Sequence, residues 1–293
     1  MNFLSSKKNI FLVLVVVAGV VWGSYHFLKN KEPIEFEGVL VENNNHEYSV
    51  IGKSVEDREI TSYSFGNGKT NILFVGGIHG GYEWNSTLLA YDFIDYFTEN
   101  PDSVPENVTL KIIPSANPDG LFKVVGKNGR FLVSDVSFSK NILEEGRLNA
   151  NGVDLNRNFD CNWQPESKWK SNVVSAGTES FSEPETETIK NFVEDLDPKA
   201  VVFWHSQANA VYASECNEGP LPETIKIMNE YSSASGYKAV PSFDAYEITG
   251  DAEGWLASIG VPAITVELET RESIDWEKNL FGVKGILKYF GQK

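Results

Sequence analysis

Short, mostly apolar runs bounded by glycine, proline or polar residues constrain the fold of this sequence more than any other feature. They lie at 71–76, 108–113, 200–204 and 263–268. Such runs are typical of strands that are buried within a sheet. Apolar residues recur at helical spacing over 89–97, 189–196 and 276–290. Strands that alternate with helices predict an α/β fold, in which a central mixed, largely parallel twisted sheet is flanked by helices on both faces.

A single domain is expected over 46–293, because no linker interrupts this pattern. The chain of 293 residues is long enough for one large α/β domain. The preceding residues 31–45 are expected to form a polar tether and a short leading strand. Ser182 and Glu185 resemble a capping box at the start of the second helical segment. Sheets of this class carry their sites at the carboxyl ends of the strands.

The first 30 residues have the composition of an export segment. Lys7 and Lys8 precede an apolar run at 10–22 that continues more weakly to Leu28. A positive stretch before an apolar one is an export signal. The run reaches the roughly 20 residues of a membrane span only when its weaker end is counted. A signal anchor and a cleaved signal peptide therefore both stay open, and either places the domain outside the cytoplasm, membrane-anchored through this segment alone or secreted.

The charge and the cysteines narrow the choice of partners and compartment. The net charge of −16 argues against nucleic acid or an anionic membrane surface as a partner, since both require a positive footprint. Cys161 and Cys216 are the two cysteines, and no Cys/His spacing of a zinc site occurs. They are either unrelated buried thiols or, in an exported chain, a disulfide.

Two of the four histidines follow directly on predicted buried strands. These are His79 and His205, whereas His26 lies in the export segment and His46 in the leading strand. A histidine at a strand end is often a structural hydrogen-bonding residue. Here, however, Glu83 follows His79 closely, and two imidazoles with one carboxylate are a common catalytic zinc set that leaves a coordination position for water. The pattern indicates a site for one zinc ion.

Seven motifs succeed one another along the chain: His79-Gly-Gly-Tyr-Glu83, Asn117-Pro-Asp-Gly120, Arg147, Gly152-Val-Asp-Leu-Asn-Arg-Asn-Phe159, Ser182-Glu-Pro-Glu-Thr186, His205-Ser206 and Thr265-Val-Glu-Leu268. In this order they resemble the zinc metallocarboxypeptidases of the carboxypeptidase A and B type. Each motif alone is weak, and their succession carries the resemblance. It implies the fold of those enzymes and hydrolysis of the C-terminal peptide bond by a zinc-bound water. The expected partner is a peptide with a free C-terminal carboxylate, bound by a monomer.

The resemblance implies a set of metal ligands. His79, Glu83 and His205 correspond to the residues that hold zinc, and Asp154 to the carboxylate that orients the first histidine. The family pattern usually has two residues between that histidine and the glutamate, whereas this sequence has three. Two of the three are glycines, which can absorb the additional residue in the loop before the helix. Glu83 therefore stays the expected ligand.

The resemblance also implies catalytic and substrate-binding roles. Glu267 corresponds to the general base, which takes a proton from the water and returns it to the leaving amine. Arg147 corresponds to the arginine that stabilises the oxyanion, although it could be a solvated surface residue. Asn156 and Arg157 correspond to the clamp for the terminal carboxylate. Tyr246 corresponds to the mobile tyrosine that closes over the bound C-terminus.

The residues after Tyr246 bear on specificity. Tyr246, Gly250 and Trp255 match a tyrosine, a glycine and a tryptophan of the family, and this match implies that Glu253 lies at the floor of the pocket for the departing side chain, with Asp251 close by. Acidic residues there imply a preference for C-terminal lysine or arginine, or for the amino-bearing arm of diaminopimelate. Both acids could instead only begin a helix. Cys161 follows the clamp and Cys216 follows the second metal histidine, so both loops should rim one pocket and a disulfide is expected.

Three other functions remain open. A murein peptide amidase that cuts the bond between γ-D-glutamate and diaminopimelate shares a similar run around Asn156 and Arg157, and export suits a wall substrate. Enzymes of the aspartoacylase type act on small N-acyl amino acids in the cytoplasm, which the export segment disfavours. A binding module that has lost zinc is the third, against which the complete set of His79, Glu83, His205 and Glu267 argues.

Overall fold

The computed structural model of the protein describes residues 47–293. The expectations for 1–30 and for 31–45, together with those for His26 and His46, lie outside the described residues. Over 47–293, none of the helices combines the length and the hydrophobicity that crossing a bilayer requires.

The strands of the described part are β1 (Glu47–Lys53), β2 (Glu59–Phe65), β3 (Thr70–Val75), β4 (Val108–Ile113), β5 (Glu166–Trp169), β6 (Asn172–Ser175), β7 (Ala200–Ser206), β8 (Ala210–Ala213), β9 (Lys238–Val240) and β10 (Ala263–Leu268). Eight of them form one mixed sheet in the order β1-β2-β4-β3-β7-β10-β8-β9, and β5 and β6 form a separate hairpin. The four central strands β4, β3, β7 and β10 are mutually parallel. Beyond them, β1, β2 and β8 pair antiparallel, while β9 lies parallel to β8.

Helices cover both faces of this sheet. The helices of the described part are α1 (Trp84–Glu99), α2 (Pro118–Val125), α3 (Lys140–Glu145), α4 (Pro184–Leu196), α5 (Pro222–Ser235), α6 (Ala252–Ser258) and α7 (Trp276–Gly291). Helices α1, α5 and α7 pack on one face, and α4 and α6 pack on the other. The α/β fold with a mixed, largely parallel sheet between helices is therefore confirmed.

Strand β7 illustrates how the two cores arise from one sequence. Its side chains alternate between the faces of the sheet. Val202 and Trp204 join the core under α1, α5 and α7, whereas Val201 and Phe203 join the core under α4 and α6. His205 continues the second set, so the register of the strand directs it towards the α4/α6 side. The buried run of the sequence thus fixes the direction of a functional side chain.

Two local predictions differ from the structure. The strand expected to end at Trp204 continues through Ser206, so His205 lies in the strand rather than after it. The capping box is wrong, because α4 has Glu183 at its N-cap and Pro184 at its first position. The Ser182 hydroxyl instead bonds with Asn158 and Glu183, and it is therefore not available as a cap.

Candidate metal centre and substrate pocket

The carboxyl ends of β3 and β7 bring the two predicted metal histidines together. His79 lies four residues beyond β3, His205 lies at the end of β7, and their ring centroids are 5.0 Å apart. Glu83 joins them, and one potential ligand atom from each residue lies within 4.8 Å of the others. All three side chains are buried. The predicted ligand set is thus one spatial cluster.

The additional residue between His79 and Glu83 is accommodated by a 3₁₀ turn over Gly80–Glu83. Gly80 has φ of +47°, a left-handed conformation that favours glycine. A Cβ atom there would also lie 2.5 Å from the Gly146 carbonyl oxygen. Because the turn tightens at Gly80, Glu83 still enters the cluster. Its Oε2 accepts a hydrogen bond from the Ser206 amide at 3.1 Å and lies 3.2 Å from His205 Nδ1.

Arg147 and Asp154 support this cluster from one side. Asp154 Oδ1 lies 3.4 Å from His79 Nδ1, and Asp154 Oδ2 accepts a hydrogen bond from Arg147 Nε at 2.8 Å. Arg147 also lies 3.8 Å from Glu83 and is 3% exposed, so it is not a solvated surface arginine. Asn117 of the Asn-Pro-Asp-Gly motif donates a hydrogen bond to the Arg147 carbonyl at 3.3 Å. Asp154 therefore joins Arg147 to His79.

The charges around the cluster determine its protonation. Burial, together with the Arg147 charge, lowers the pKa of His79 to about 4, so its imidazole is neutral and can bind a cation. Burial opposes ionisation of Glu83, but His79, His205 and Arg147 lower its pKa to about 2. Burial likewise opposes protonation of His205, yet Glu253 and Glu83 raise its pKa well above the usual value. An ionised Glu83 therefore lies beside a protonated His205, and a metal cation bound here would take the place of the His205 proton.

Glu267 lies beside His205 because β10 and β7 pair in parallel register, with these two residues opposite each other. The residue is partly exposed, but its Oε2 atom is buried and has no hydrogen-bond partner in residues 47–293. Burial and the nearby Glu83 charge raise the pKa of Glu267 to about 7. A carboxyl group with this pKa can exchange protons near neutral pH.

The donor set fits zinc. Two imidazoles and one carboxylate are typical of catalytic zinc sites, in which a water completes the tetrahedron. The three side chains are buried, and their potential ligand atoms converge to within 4.8 Å of one another. The residues present are therefore consistent with a metal centre.

The predicted clamp residues lie in a short turn over Leu155–Arg157. Arg157 is 2% exposed, and its guanidinium donates to the carbonyls of Asn156 and Lys168. Asn156 accepts a hydrogen bond from the Ala252 amide at 2.8 Å, and its Nδ2 lies 3.3 Å from Glu253 Oε2. The clamp turn is thus joined to the first turn of α6.

The two acids at the start of α6 have different roles. Asp251 caps the helix by accepting a hydrogen bond from the Gly254 amide at 2.8 Å, which is the helix-start role that the sequence also allowed for it. Glu253 faces the site, where its Oε1 lies 3.0 Å from both His205 Nε2 and Thr265 Oγ1. Burial raises the pKa of Asp251 to about 6, whereas the bond with His205 outweighs burial and lowers that of Glu253 to about 2.

One cavity of about 570 Å³ is lined by the metal cluster, Arg147, Glu267, the clamp residues and the two acids at the start of α6, whereas Asp154 is not part of its lining. Tyr246 lies half-buried at its rim, with its ring 5.0 Å from that of Phe243. The predicted disulfide is present, because Cys161 and Cys216 are bonded across 55 residues with Cα atoms 6.2 Å apart. Both cysteines line the same cavity, which is the position the sequence predicted for them.

Several residues of the cavity wall were not predicted from the sequence, among them Arg271, Trp169 and Thr265. Arg271 follows β10 by three residues, and the strand-end rule that identified His205 could have indicated it. Trp169 is the last residue of the hairpin strand β5. It lies under the Arg147 guanidinium, whose Cζ atom is 4.7 Å from the centroid of the Trp169 ring. Thr265 belongs to a recognised motif, but no role was expected for it. Nothing in the local sequence marks Trp169, because the hairpin reaches the site only through the tertiary fold.

Comparisons with known proteins agree with this geometry. A γ-D-glutamyl-L-diamino acid endopeptidase from Lysinibacillus sphaericus is 25% identical over 74% of this chain and 59% of its own length. Carboxypeptidase B from Helicoverpa zea is 27% identical over 75% of this chain and 56% of its own. The chain thus spans less than two thirds of the length of these relatives.

A solved structure and a family model complete the comparison. The murein-tripeptide amidase of Escherichia coli shares the fold, with a TM-score of 0.59 and 23% identity over 82% of this chain and 91% of its own. The family model described as zinc carboxypeptidase matches residues 41–283. Since that match covers most of the sequence and includes every motif quoted above, this chain belongs to the zinc carboxypeptidase family, whose members are zinc-dependent peptide hydrolases.

Proposed function

We propose that this protein is a zinc exopeptidase that removes the C-terminal residue of a peptide and prefers a basic one. One observation carries the proposal: the His79, Glu83 and His205 cluster, the Glu267 carboxyl and the Arg157 guanidinium line a single cavity. The first three would hold one zinc ion, and the family is zinc-dependent. No single one of these groups would indicate an exopeptidase.

The chemistry divides among residues of this chain. Zinc held by the cluster would supply a water of lowered pKa and polarise the scissile carbonyl. Glu267 accepts the proton of the attacking water and donates it to the leaving amine, a transfer for which a pKa of about 7 is suited. Arg147 stabilises the oxyanion, and Asp154 holds both Arg147 and His79 in position.

The clamp would make the reaction exopeptidic. Arg157 binds the terminal carboxylate because a planar guanidinium can donate to both of its oxygens. Asn156 completes the clamp, and Tyr246 closes over the bound residue from the rim of the cavity. An internal peptide bond offers no carboxylate to this clamp, so cleavage is confined to the chain end.

Glu253 would select the departing side chain. Its pKa of about 2 keeps it ionised, and Asp251 adjoins it. An apolar side chain in the pocket would exclude water from this carboxylate without adding a charge to it, which is unfavourable, whereas a cation could meet its Oε2 atom. The preferred C-terminal residue is therefore lysine or arginine, or a diamino acid that presents an amino group. The bond from Glu253 to His205 links this selectivity to the metal cluster.

A second candidate is a murein peptide amidase that cleaves the γ-D-glutamyl bond to diaminopimelate. Two relatives favour it: the endopeptidase from Lysinibacillus sphaericus, and a murein peptide amidase from Escherichia coli that is 29% identical over 49% of this chain and 60% of its own. Diaminopimelate carries an amino group that could meet Glu253 and a carboxylate that could meet Arg157. The same residues would then serve a cell-wall substrate.

We propose an extracytoplasmic location. It is supported by the positive and apolar composition of 1–30 and by the Cys161–Cys216 disulfide, since such bonds persist in oxidising compartments. The proposed organisation is an export segment at 1–30, a tether at 31–45 and the catalytic domain at 46–293. The domain would act as a monomer.

A peptide panel analysed by mass spectrometry tests the function. The panel contains matched peptides that end in lysine, arginine, phenylalanine, leucine or a C-terminal amide, and muropeptides with a γ-D-glutamyl bond to diaminopimelate. The proposal expects loss of one basic residue from free C-termini, no reaction with the amides, and inhibition by a zinc chelator that added zinc reverses. Exclusive cleavage of the muropeptides would favour the second candidate, and no cleavage at all would contradict both.

A further inference from the structure

Arg271 is a cation in the wall of the cavity that the proposed reaction leaves without a role. It lies in the loop between β10 and α7, four residues beyond Glu267. Its guanidinium carbon lies 4.1 Å from the centroid of the Tyr82 ring, a stacking distance. Tyr82 lines the same cavity and directly precedes Glu83. Arg271 is therefore held beside the metal cluster.

Within the described residues this guanidinium has no carboxylate partner. Among residues 47–293 Arg271 forms no ion pair, and its Nε atom is buried without a hydrogen-bond partner. A shortage of acids is not the reason, because acidic residues outnumber basic ones by 41 to 25. The nearby Glu269 carboxylate pairs instead with Lys278 at 2.9 Å. A buried guanidinium donor without an acceptor is costly and indicates a ligand.

Arg130 provides a comparison, because it stacks on a tyrosine as Arg271 does but has a carboxylate partner. Arg130 also stacks on a tyrosine, with its guanidinium carbon 4.7 Å from the Tyr91 centroid. Unlike Arg271, it donates to both oxygens of Asp95, at 2.7 and 2.8 Å, and it lies outside the cavity. Stacking on a tyrosine therefore leaves the donor edge of a guanidinium free to bind a carboxylate on two oxygens. At Arg271 no residue of 47–293 uses that edge.

The position of Arg271 indicates which part of a substrate it meets. The groups proposed for the departing residue, Arg157 and Glu253, form no contact with it within the described residues. Its partner Tyr82 instead makes an edge contact with Trp169, on which Arg147 lies. Arg147 is the proposed oxyanion residue, so this corner adjoins the acyl side of the scissile bond.

We propose that Arg271, stacked on Tyr82, is a specificity residue that binds a carboxylate on the acyl side of the scissile bond. This inference rests on the proposed function, because it takes the departing side from the clamp and from Glu253. Two sources supply such a carboxylate: the side chain of an acidic penultimate residue in an ordinary peptide, or the free α-carboxylate of a γ-linked glutamate. The chemistry at Arg271 is the same in both.

Paired substrates and one arginine variant test the inference. Each pair differs only by carboxylate against carboxamide: Ac-Ala-Glu-Lys against Ac-Ala-Gln-Lys, and γ-D-glutamyl-lysine against its α-amide. Wild type should show a kcat/KM about 10- to 100-fold higher for the carboxylate member of at least one pair, and the responsive pair identifies the source. In Arg271→Gln this ratio should fall towards one, while kcat/KM for the carboxamide member is retained.

Arg130→Gln is the matched control, since it removes another tyrosine-stacked arginine outside the cavity, and it should keep the wild-type ratio. Equal rates for both members of both pairs in wild type, or an unchanged ratio in Arg271→Gln, would overturn the inference and leave the proposed function standing. If wild type hydrolyses no peptide, the proposed function fails. Calorimetric binding of Ac-Ala-Glu and of its glutamine analogue then decides: preference for the acid that Arg271→Gln abolishes supports the inference, and equal affinity overturns it.

Discussion

The site consists of a strand-borne part and a loop-borne part, which are held in different ways. His205 and Glu267 are opposite each other on adjacent parallel strands, and both strands have neighbours on either side. Arg157, Glu253 and Tyr246 depend instead on contacts between distant segments. The Phe159 amide donates to the Gly250 carbonyl, the Gly250 amide donates to the Cys161 carbonyl, and the disulfide closes the same rim.

This difference suggests a division of labour. Hydrogen-bonded register fixes His205 and the proposed general base, and the turn after β3 places His79 and Glu83 next to them, so we expect the chemistry to depend on the rigid sheet. The loops fix the proposed clamp and Glu253, so we expect them to determine which peptide is accepted. Gly250 shows how closely the loops pack, since it has φ of +69° and a Cβ atom there would lie 2.2 Å from the Arg157 carbonyl oxygen. Changes in the strand-borne part should therefore have the larger effects.

Glu267→Gln should have the largest effect on turnover. Loss of the general base is expected to lower kcat by about 100- to 10,000-fold, with zinc content unchanged. Glu269→Gln is the control, because it changes an exposed carboxylate two residues further along the chain, and it should retain kcat. Because only the ionised carboxyl accepts a proton, a pKa of about 7 predicts that wild-type kcat/KM falls as the pH drops below 7, and a bound cation would move this limb lower. Full activity of Glu267→Gln would refute its role.

Arg157→Gln should have the second-largest effect, which is on recognition of the C-terminal carboxylate. We expect kcat/KM for peptides with a free C-terminus to fall by about 30- to 1,000-fold, because a buried charge-assisted contact is lost. The same peptides with a C-terminal amide should react equally poorly with wild type and variant. Steady-state kinetics on the paired peptides measures this, with Arg130→Gln as control. An equal loss for acids and amides would mean that Arg157 only supports the fold.

Glu253→Ile should change the preferred residue rather than the reaction. For lysine-ended peptides kcat/KM is expected to fall by about 10- to 100-fold, and for leucine-ended peptides it should rise. Glu253→Gln separates charge from position, because an amide can still bond with His205 but cannot neutralise a cation. Competition between the two peptides, followed by mass spectrometry, gives the ratio directly. An unchanged ratio in both variants would remove Glu253 from the specificity determinants.

Replacing both Cys161 and Cys216 by serine should have the smallest effect on catalysis. Loss of this bond is expected to lower the free energy of unfolding by about 2–4 kcal/mol. KM should rise a few-fold because the rim loosens, whereas kcat and zinc content stay at wild-type values. Denaturant unfolding and steady-state kinetics check the two parts. A collapse of kcat would mean that the strand-borne part depends on the rim after all.

The strand-borne part could be largely predicted from the sequence. Buried strands are marked by their own residues, and the residues next to a strand end can be read directly, which is how His79 and His205 were identified. Glu267 was named by the resemblance, and it lies in a strand that the apolar run at 263–268 predicted. The central strands and the main helices were predicted from their own apolar patterns. The outer strands β1, β2, β8 and β9 were missed, because they are short or partly exposed and lack a continuous apolar run.

The loop-borne part could be predicted only as a set of residues, not as an arrangement. Resemblance to the family named Arg157 and Glu253, and the positions of the cysteines after two of its motifs indicated the disulfide. It did not reveal that Asn156 reaches Glu253, that Glu253 bonds with His205, or that Asp154 pairs with Arg147. Contacts between residues so distant in sequence leave no local signal. The missed Arg271 and Trp169 belong to this class.

Zinc content of the purified protein is the most direct test of the central claim, which is that the ends of β3 and β7 form a metal centre with Glu83. Elemental analysis should find one zinc per chain in wild type and in Glu267→Gln, and none above background in His205→Ala. Circular dichroism would verify that the variant is folded. Wild-type protein that binds no zinc, or a folded His205→Ala protein that retains a full equivalent, would contradict the account.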